Sequence, residues 1–112
     1  MSDATVTLSG NLTDDPELKY TQAGDAVCSF SIAVNDNRKV DGEWRSELNG
    51  YYRISAWKQL GEGLAESLAR GDRIILTGTI RQREWEDKEG NKRISVEVTA
   101  TDAGKSLRWG VK

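Results

Sequence analysis

Residues 80–93, IRQREWEDKEGNKR, place two cationic side chains and one aromatic ring at alternate positions, and most of the other side chains are polar. Burying an indole ring normally stabilises a fold by about 25 cal/mol per Å² of apolar surface, yet Trp85 stands among charged neighbours. Arg81 and Arg83 precede it at alternate positions. An aromatic face stacks on another flat ring, and a guanidinium group pairs with anions. This spacing therefore indicates a surface for a flat, negatively charged ligand.

A second segment, YYRISAW at residues 51–57, shows the same alternation. Successive side chains of a strand point to opposite faces, so Tyr52, Ile54 and Ala56 form one apolar face. The opposite face combines rings with a cation and carries Tyr51, Arg53, Ser55 and Trp57. This strand repeats the pattern independently of the first segment.

The alternation in residues 73–85 predicts that Trp85 points away from the core, because Ile74, Leu76 and Ile80 share the other face if pairing is regular. Two strands thus each place rings beside guanidinium groups outside the core. Single-stranded nucleic acid fits such a surface, since stacking on an aromatic ring contributes about 1–3 kcal/mol per base while Arg and Lys pair with phosphates. Duplex DNA fits less well, because its bases are already stacked.

The composition excludes several kinds of catalysis. One Cys and no His cannot supply an intrachain disulfide, a zinc-type ligand set or a Cys–His or Ser–His pair. Chemistry that uses carboxylates alone stays possible, because Asp and Glu total 18, but nothing in their placement recommends it. We predict no enzyme activity, no metal and no cofactor. A net charge of −2 argues against a polyanionic partner. However, residues 73–112 carry 9 basic and 6 acidic side chains, whereas residues 1–36 carry 1 and 6, so positive charge accumulates near Trp85.

Five strands and one helix are predicted to position these side chains. Period-two alternation and turn-forming neighbours predict strands at residues 5–12, 27–35, 51–57, 73–85 and 93–100. Polar residues 35–50 are predicted to form a long hairpin loop. Leucines recurring every four residues predict a helix over 59–70, which ends at Gly71 and frays at Gly61 and Gly63.

This element order predicts an all-β OB-fold, a five-stranded barrel with one short helix between its third and fourth strands. A generic α+β roll is the alternative. No linker or repeat divides the chain, so residues 1–112 are predicted to be a single domain. No apolar run is long enough to span a membrane, and MSDATVTLSG is not an export signal, which predicts a cytoplasmic protein.

Several other side chains have less decisive surroundings. Trp44, in the predicted loop, is interpreted either as a ligand clamp or as an incidental exposed ring. Lys88, Lys92 and Arg93 form a basic hairpin tip, which is usually an ordinary solvated turn, and Lys88 and Lys92 are the two predicted to contact phosphate. Cys28 takes a core-facing position and is interpreted as a small hydrophobic residue. The aromatic residues predicted to serve in packing are Tyr20, Tyr52 and Trp109.

Two motifs carry a family resemblance. The run GNL-x-x-DPE-x-K-Y spans residues 10–20, and G-x-I-R-x-R-x-W spans residues 78–85. With their flanks they extend the similarity over most of residues 5–104. On these motifs the sequence resembles the bacterial single-stranded DNA-binding protein family, especially its actinobacterial branch.

The resemblance implies an OB-fold homotetramer that binds and protects single-stranded DNA, without sequence preference, in replication, recombination and repair. It assigns base stacking to Tyr51, Trp57 and Trp85. It assigns backbone contacts to Arg53, Arg81 and Arg83. The loop at 35–50, which contains Arg38 and Trp44, is implied to guide the strand. Some relatives carry an aromatic residue where this chain has Asn37 and Arg38, and Trp44 is its suggested substitute.

Relatives commonly continue into a Gly- and Pro-rich linker with an acidic tip that recruits replication and repair enzymes. This sequence ends in SLRWGVK, so recruitment through such a tip is not expected of it. The competing hypothesis is an assembly module whose aromatic face packs against protein. An enzyme ranks last, because the sequence has no His and no phosphate-cradling Gly motif.

Overall fold

The computed structural model describes residues 4–108, which form six strands and one helix. Their bounds are β1 Thr5–Leu12, β2 Glu17–Tyr20, β3 Ala26–Val40, β4 Glu43–Trp57, α1 Lys58–Ser67, β5 Arg73–Glu86 and β6 Lys92–Lys105. All five predicted strands are present. The additional strand, β2, was missed because it is only four residues long and all four are exposed.

Five of the strands close into a barrel. The sheet order is β1-β5-β6-β4-β3-β2, and a further pairing of β1 with β3 joins the two sides. In that pairing Asn11 lies opposite Ala33 and Leu12 opposite Ile32. β2 only lengthens the sheet at the edge of β3. The predicted all-β, five-stranded barrel is therefore confirmed, with α1 between its third and fourth strands.

The barrel interior is filled by the apolar residues that the alternation selected. Ile32, Ile54, Ile74 and Val98 are fully or almost fully buried, and each comes from a different strand. Burying a side chain of this size contributes about 1.5–3 kcal/mol. Because the inner face of each strand is fixed in this way, the alternate residues must face outward.

The prediction of a loop at residues 35–50 is wrong, since this segment is a β-ribbon. β3 and β4 remain paired as far as Val40 and Glu43, and only Asp41 and Gly42 form the turn. Both turn residues have positive φ, 52° and 82°, as a two-residue hairpin turn requires. The ribbon lies beyond the core, so its sequence has no apolar face by which to recognise a strand.

The helix is shorter than predicted and ends at Ser67. Leu68 N–H still donates to the Leu64 carbonyl (2.9 Å), but the next two amides bind side chains. Ala69 N–H donates to Asp72 Oδ2 (3.0 Å) and Arg70 N–H to Asp15 Oδ1 (2.9 Å). Gly71 has φ +89° but lies in the turn before β5, so its predicted role as helix terminator is wrong. Gly61 is buried inside the helix, where the predicted fraying does not occur.

The structure confirms one of the remaining predictions for aromatic residues and contradicts another. Tyr52 packs against the core, as predicted, and its hydroxyl lies 2.8 Å from Asn49 Oδ1. Tyr20 is 61% exposed, so its predicted packing role is wrong. Trp109 lies outside the described residues. Cys28 is buried in the core, as predicted. No helix in the described part of the chain has the length and apolarity to cross a membrane.

Candidate nucleic-acid interface

The outer face of β4 carries exposed rings on both sides of Arg53. Tyr51 is 68% exposed and Trp57 is 43% exposed. Arg53 lies between them, and its guanidinium group is 3.5 Å from the hydroxyl of Ser31 on the neighbouring strand. Ser31 lies directly opposite Arg53 in the β3–β4 register. The prediction that both rings stay outside the core is confirmed.

Trp85 also lies outside the core and is 50% exposed. The β5–β6 ladder contains one irregularity, where Thr77 pairs with Asp102 and Gly78 with Ala100. The extra residue, Thr101, belongs to β6, so alternation along β5 is unbroken. For this reason the regular pairing assumed from the sequence holds for Trp85.

Strand register brings the two basic segments onto one surface. Arg53 of β4 lies opposite Glu97 of β6, and Glu97 lies opposite Arg81 of β5. The three side chains therefore form a row across three neighbouring strands. Arg83 lies next to this row, with its Nη1 3.7 Å from Glu97 Oε1. Segments 51–57 and 80–85 thus form a single outer surface, named here the aromatic–basic face.

The rings lie on both sides of this row. Trp57 is four residues beyond Arg53 in one direction, about 13 Å along the strand. Trp85 is four residues beyond Arg81. Because β4 and β6 are parallel and β5 is antiparallel to β6, Trp85 is displaced toward the end of the barrel where Tyr51 lies. A bound nucleic-acid strand could therefore meet an aromatic ring on either side of Arg53 and Arg81.

β3 leaves space above this surface. Its outward side chains next to β4 are small, namely Ser29, Ser31 and Ala33. Their partners on β4 are Ser55, Arg53 and Tyr51. The predicted combination of small residues beside rings is confirmed, and it forms a shallow track beside the exposed rings.

The β3–β4 ribbon, residues 35–48, extends the outer face beyond the barrel. Val34 pairs with Gly50 but Asn35 pairs with Leu48, so Asn49 is an extra residue on β4. Because of this bulge, even-numbered residues of β4 face outward before Asn49 and odd-numbered residues face outward after it. As a result Trp44, which pairs with Lys39 and is 73% exposed, lies on the same side of the sheet as Tyr51.

Arg38 is not brought to this side of the sheet. It pairs with Arg45 on the opposite face of the ribbon, and its Nη2 lies 2.7 Å from Glu47 Oε2. The sequence alone did not reveal this separation, because the faces of residues 35–50 were unassigned in a predicted loop.

The tip of the β5–β6 hairpin is organised by Asp87. Its Oδ1 accepts the backbone N–H groups of Glu89 and Asn91, each at 2.9 Å, and its Oδ2 lies 3.1 Å from Arg93 Nε. The Asn91 backbone, followed by Arg93 and Glu89, outweighs partial desolvation and holds the pKa of the Asp87 carboxyl below its ordinary value. Lys88 is exposed within this turn.

The sequence placed Arg93 in the basic tip, but only Lys88 and Lys92 were predicted to bind DNA there. Lys92 pairs with Glu86 on the side of the hairpin opposite Trp85. Arg93 pairs with Trp85 directly, so it is the basic residue on the aromatic–basic face. The alternation of residues 93–100 places Arg93 on the outer face, because Arg93 and Glu97 are both odd-numbered and odd-numbered residues of this segment face outward.

The described residues hold no group of three or more His, Cys, Asp or Glu side chains arranged to bind a metal ion. The aromatic–basic face consists of aromatic rings, guanidinium groups, small polar side chains and one central carboxylate, that of Glu97. Such a surface can stack flat rings and pair with anions.

The closed barrel with one helix before its fourth strand, and its aromatic–basic face, define a protein of the OB-fold class. The family comparison narrows this class. Residues 3–105 match the model of the single-strand binding protein family, so the chain belongs to that family. The resemblance stated from the two sequence motifs is confirmed.

Relatives of the chain include two actinobacterial proteins. It is 43% identical over 109 residues to the single-stranded DNA-binding protein of Mycolicibacterium smegmatis, covering 96% of this chain and 66% of that protein. It is 41% identical over 105 residues to single-stranded DNA-binding protein 2 of Streptomyces coelicolor, covering 92% and 53%. The chain thus spans slightly less than two thirds of the length of the first relative and about half of the length of the second.

Among solved structures, a small single-stranded DNA-binding protein from Streptomyces coelicolor shares the fold. The TM-score is 0.87 with 24% sequence identity, covering 98% of this chain and all of the other. At this level of identity the likeness supports the fold.

Proposed function

We propose that this protein binds single-stranded DNA without sequence preference and protects it in replication, recombination and repair. The observation that supports this most directly is the aromatic–basic face, where separate strands place Tyr51, Trp57 and Trp85 around Arg53 and Arg81. Rings stack on any base and cations pair with any phosphate, so affinity does not depend on sequence. Membership of the single-strand binding family supports the same function.

Unpaired DNA suits this surface better than a duplex. The exposed rings lie on a sheet, where they meet bases only if those bases are unstacked. The one helix among the described residues packs on the barrel through Gly61 and Leu64, and its exposed residues include Glu62 and Glu66. A helix with an acidic exposed side is unsuited to the major groove.

The functional assembly is proposed to be a homotetramer in the cytoplasm, associated with nucleoid DNA. One copy leaves apolar side chains exposed away from the aromatic–basic face, including Ile94 and Val96 on the other side of the β5–β6 hairpin. Exposed apolar surface of this kind is typical of subunit contacts. A mass measurement in solution tests this part, and a monomer at the concentrations used for DNA binding would contradict it.

Binding is tested with a labelled oligothymidylate and fluorescence anisotropy. Trp57→Ala and Trp85→Ala should each weaken binding by about 1–3 kcal/mol, because each removes one stacking ring. Tyr20→Ala is the matched control: it removes an exposed ring from β2, at a position paired with the buried Ala26 and therefore on the other face.

Two results would oppose the proposed function. An unchanged affinity in the Trp57→Ala/Trp85→Ala double variant would exclude the aromatic–basic face as the binding surface. A wild-type protein that does not bind oligothymidylate at low salt would favour the assembly-module hypothesis, in which the same rings pack against protein.

A further inference from the structure

The two sides of the β3–β4 ribbon differ in net charge. On the side opposite Trp44, the paired positions carry three carboxylates, Asp36, Glu43 and Glu47, and two guanidinium groups, Arg38 and Arg45. The side that carries Trp44 has no acidic residue among its paired positions, which are Asn35, Asn37, Lys39, Trp44, Ser46 and Leu48. Three acidic and two basic side chains give that side a net charge of −1, whereas Lys39 gives the side of Trp44 a net charge of +1. An anionic ligand is therefore favoured on the side that offers a ring, a cation and amide groups.

The segment that follows β6 approaches this side of the ribbon. Ser106 N–H donates to the Arg73 carbonyl at 2.9 Å, and Arg108 N–H lies 3.3 Å from the Ser106 hydroxyl. These contacts hold the segment beside the start of β5. Arg108 is thereby placed next to Trp44, although 64 positions separate them in the sequence.

Ribbon and segment together enclose an open cavity of about 470 Å³. It is lined by residues Asn37, Trp44, Arg45, Ser46 and Arg108. Because the register places the Arg45 side chain on the opposite side of the ribbon, Trp44 supplies the ring and Arg108 the cation. Ligand pockets for small organic molecules begin at about 300 Å³, so the space can hold a nucleotide. The chemistry of the lining is that of a base-stacking ring with a phosphate-binding cation.

We propose that this cavity is an outlying nucleotide subsite, in which a base of the bound strand stacks on Trp44 while Arg108 pairs with its phosphate. The proposal depends on the proposed function and extends it, because it assigns a DNA contact to the segment after β6. The bulge at Asn49 makes the path continuous, since Trp44 lies on the same side of β4 as Tyr51.

The subsite lies at a distance that an experiment can resolve. Trp44 and Trp57 are thirteen residues apart on β4, or about 40 Å along an extended strand. A short oligonucleotide on the barrel therefore does not reach Trp44, whereas a longer one does. The test is the affinity of labelled oligothymidylates of increasing length for the full chain, measured by anisotropy.

Trp44→Ala should leave the affinity for the shortest binding oligonucleotides unchanged and weaken binding about fivefold or more once the strand reaches the ribbon. Arg108→Gln should weaken binding over the same range of lengths. The double variant should lose less than the product of the two single effects, because both residues bind one nucleotide. Trp44→Phe, which keeps a stacking ring, should retain most of the affinity.

Lys105→Gln is the matched control for Arg108→Gln. It removes the same charge three residues earlier, from a side chain that lies 3.7 Å from Asp72. Equal effects of Lys105→Gln and Arg108→Gln would overturn the subsite, as would a Trp44→Ala variant that binds every length like the wild type. Trp57→Ala separates the two proposals: if it weakens binding at all lengths while Trp44→Ala does not, only the subsite fails.

Discussion

The Arg83 guanidinium group lies 3.7 Å from the Glu97 carboxylate on the outer surface of the barrel. Glu97 also occupies the register position between Arg53 and Arg81. A carboxylate at the centre of the aromatic–basic face repels phosphate and occupies a cation that would otherwise bind it. Under the proposed function, Glu97 is therefore expected to limit the affinity of the face for DNA.

Glu97→Gln is expected to tighten binding of oligothymidylate about two- to fivefold at low salt, in proportion to the worth of an exposed ion pair. The dependence of log K on log salt should become steeper by up to about 0.7, because Arg83 then binds one more phosphate of a single strand. Both quantities come from anisotropy titrations at several salt concentrations.

Glu84→Gln is the control for this change, because Glu84 is adjacent to Arg83 but pairs with Ile94 on the other side of the hairpin. It removes the same charge without freeing Arg83. Equal tightening by Glu84→Gln would show a general charge effect, and weaker binding by Glu97→Gln would show that Glu97 mainly positions Arg83.

Two glycines of α1 provide a matched test of packing. A Cβ built on Gly61 would collide with the Ala56 carbonyl oxygen, whereas one built on Gly63 meets nothing within 4 Å. Gly61→Ala should therefore lower the free energy of unfolding by about 1–3 kcal/mol, as overpacking does. Gly63→Ala should raise it by about 0.5–1 kcal/mol, because Ala loses less backbone entropy in a helix. Urea denaturation measures both, and similar changes in the two variants would contradict the close approach of α1 to the barrel.

The hairpin tip should be sensitive to acid. Because the backbone N–H of Asn91 and its companions hold the pKa of Asp87 below the ordinary 3.8, the ionised carboxylate stabilises the turn at any pH above that value. This stabilisation is lost as the pH falls below about 3.8 and through the lowered folded-state value. The amide resonances of Glu89 and Asn91 should therefore move together in an NMR titration from about pH 5 to about pH 2. Asp87→Asn should abolish that shared transition, and its persistence would assign the titration to another group.

Much of the barrel and of its outer face was predictable because burial imposes period two on the strands. Ile54 and Ile74 are buried, so Arg53 and Trp85 had to face outward wherever pairing was regular. The core therefore fixed the orientation of side chains that it does not contain. The exposure of Tyr51, Trp57 and Trp85 follows from this constraint.

The remaining features depend on distant pairings or on local chemistry without a core. The bulge at Asn49 determines the side on which Trp44 lies, and only the β3–β4 register reveals it. Glu97 joins the basic row through the parallel pairing of β4 with β6, which no nearby sequence encodes. Asp41 and Gly42 were a recognisable hairpin turn, but the ribbon around them lacks the apolar alternation used to identify strands.

Cys28 should be inert in the native protein. It lies on β3 between Leu18 of β2 and Ala56 of β4, with no exposed surface, and burial raises the pKa of its thiol above the ordinary 9.0. The reactive thiolate is thus both inaccessible and disfavoured. Ellman's reagent should label the folded chain only at the rate of unfolding, and fully in denaturant.

Because the folded-state pKa of the Cys28 thiol is raised, this group stabilises the fold below the ordinary thiol pKa, and stability should decline as the pH rises past 9.0. Cys28→Ala should remove that alkaline decline, and rapid labelling in native buffer would show that the β2 edge opens without global unfolding.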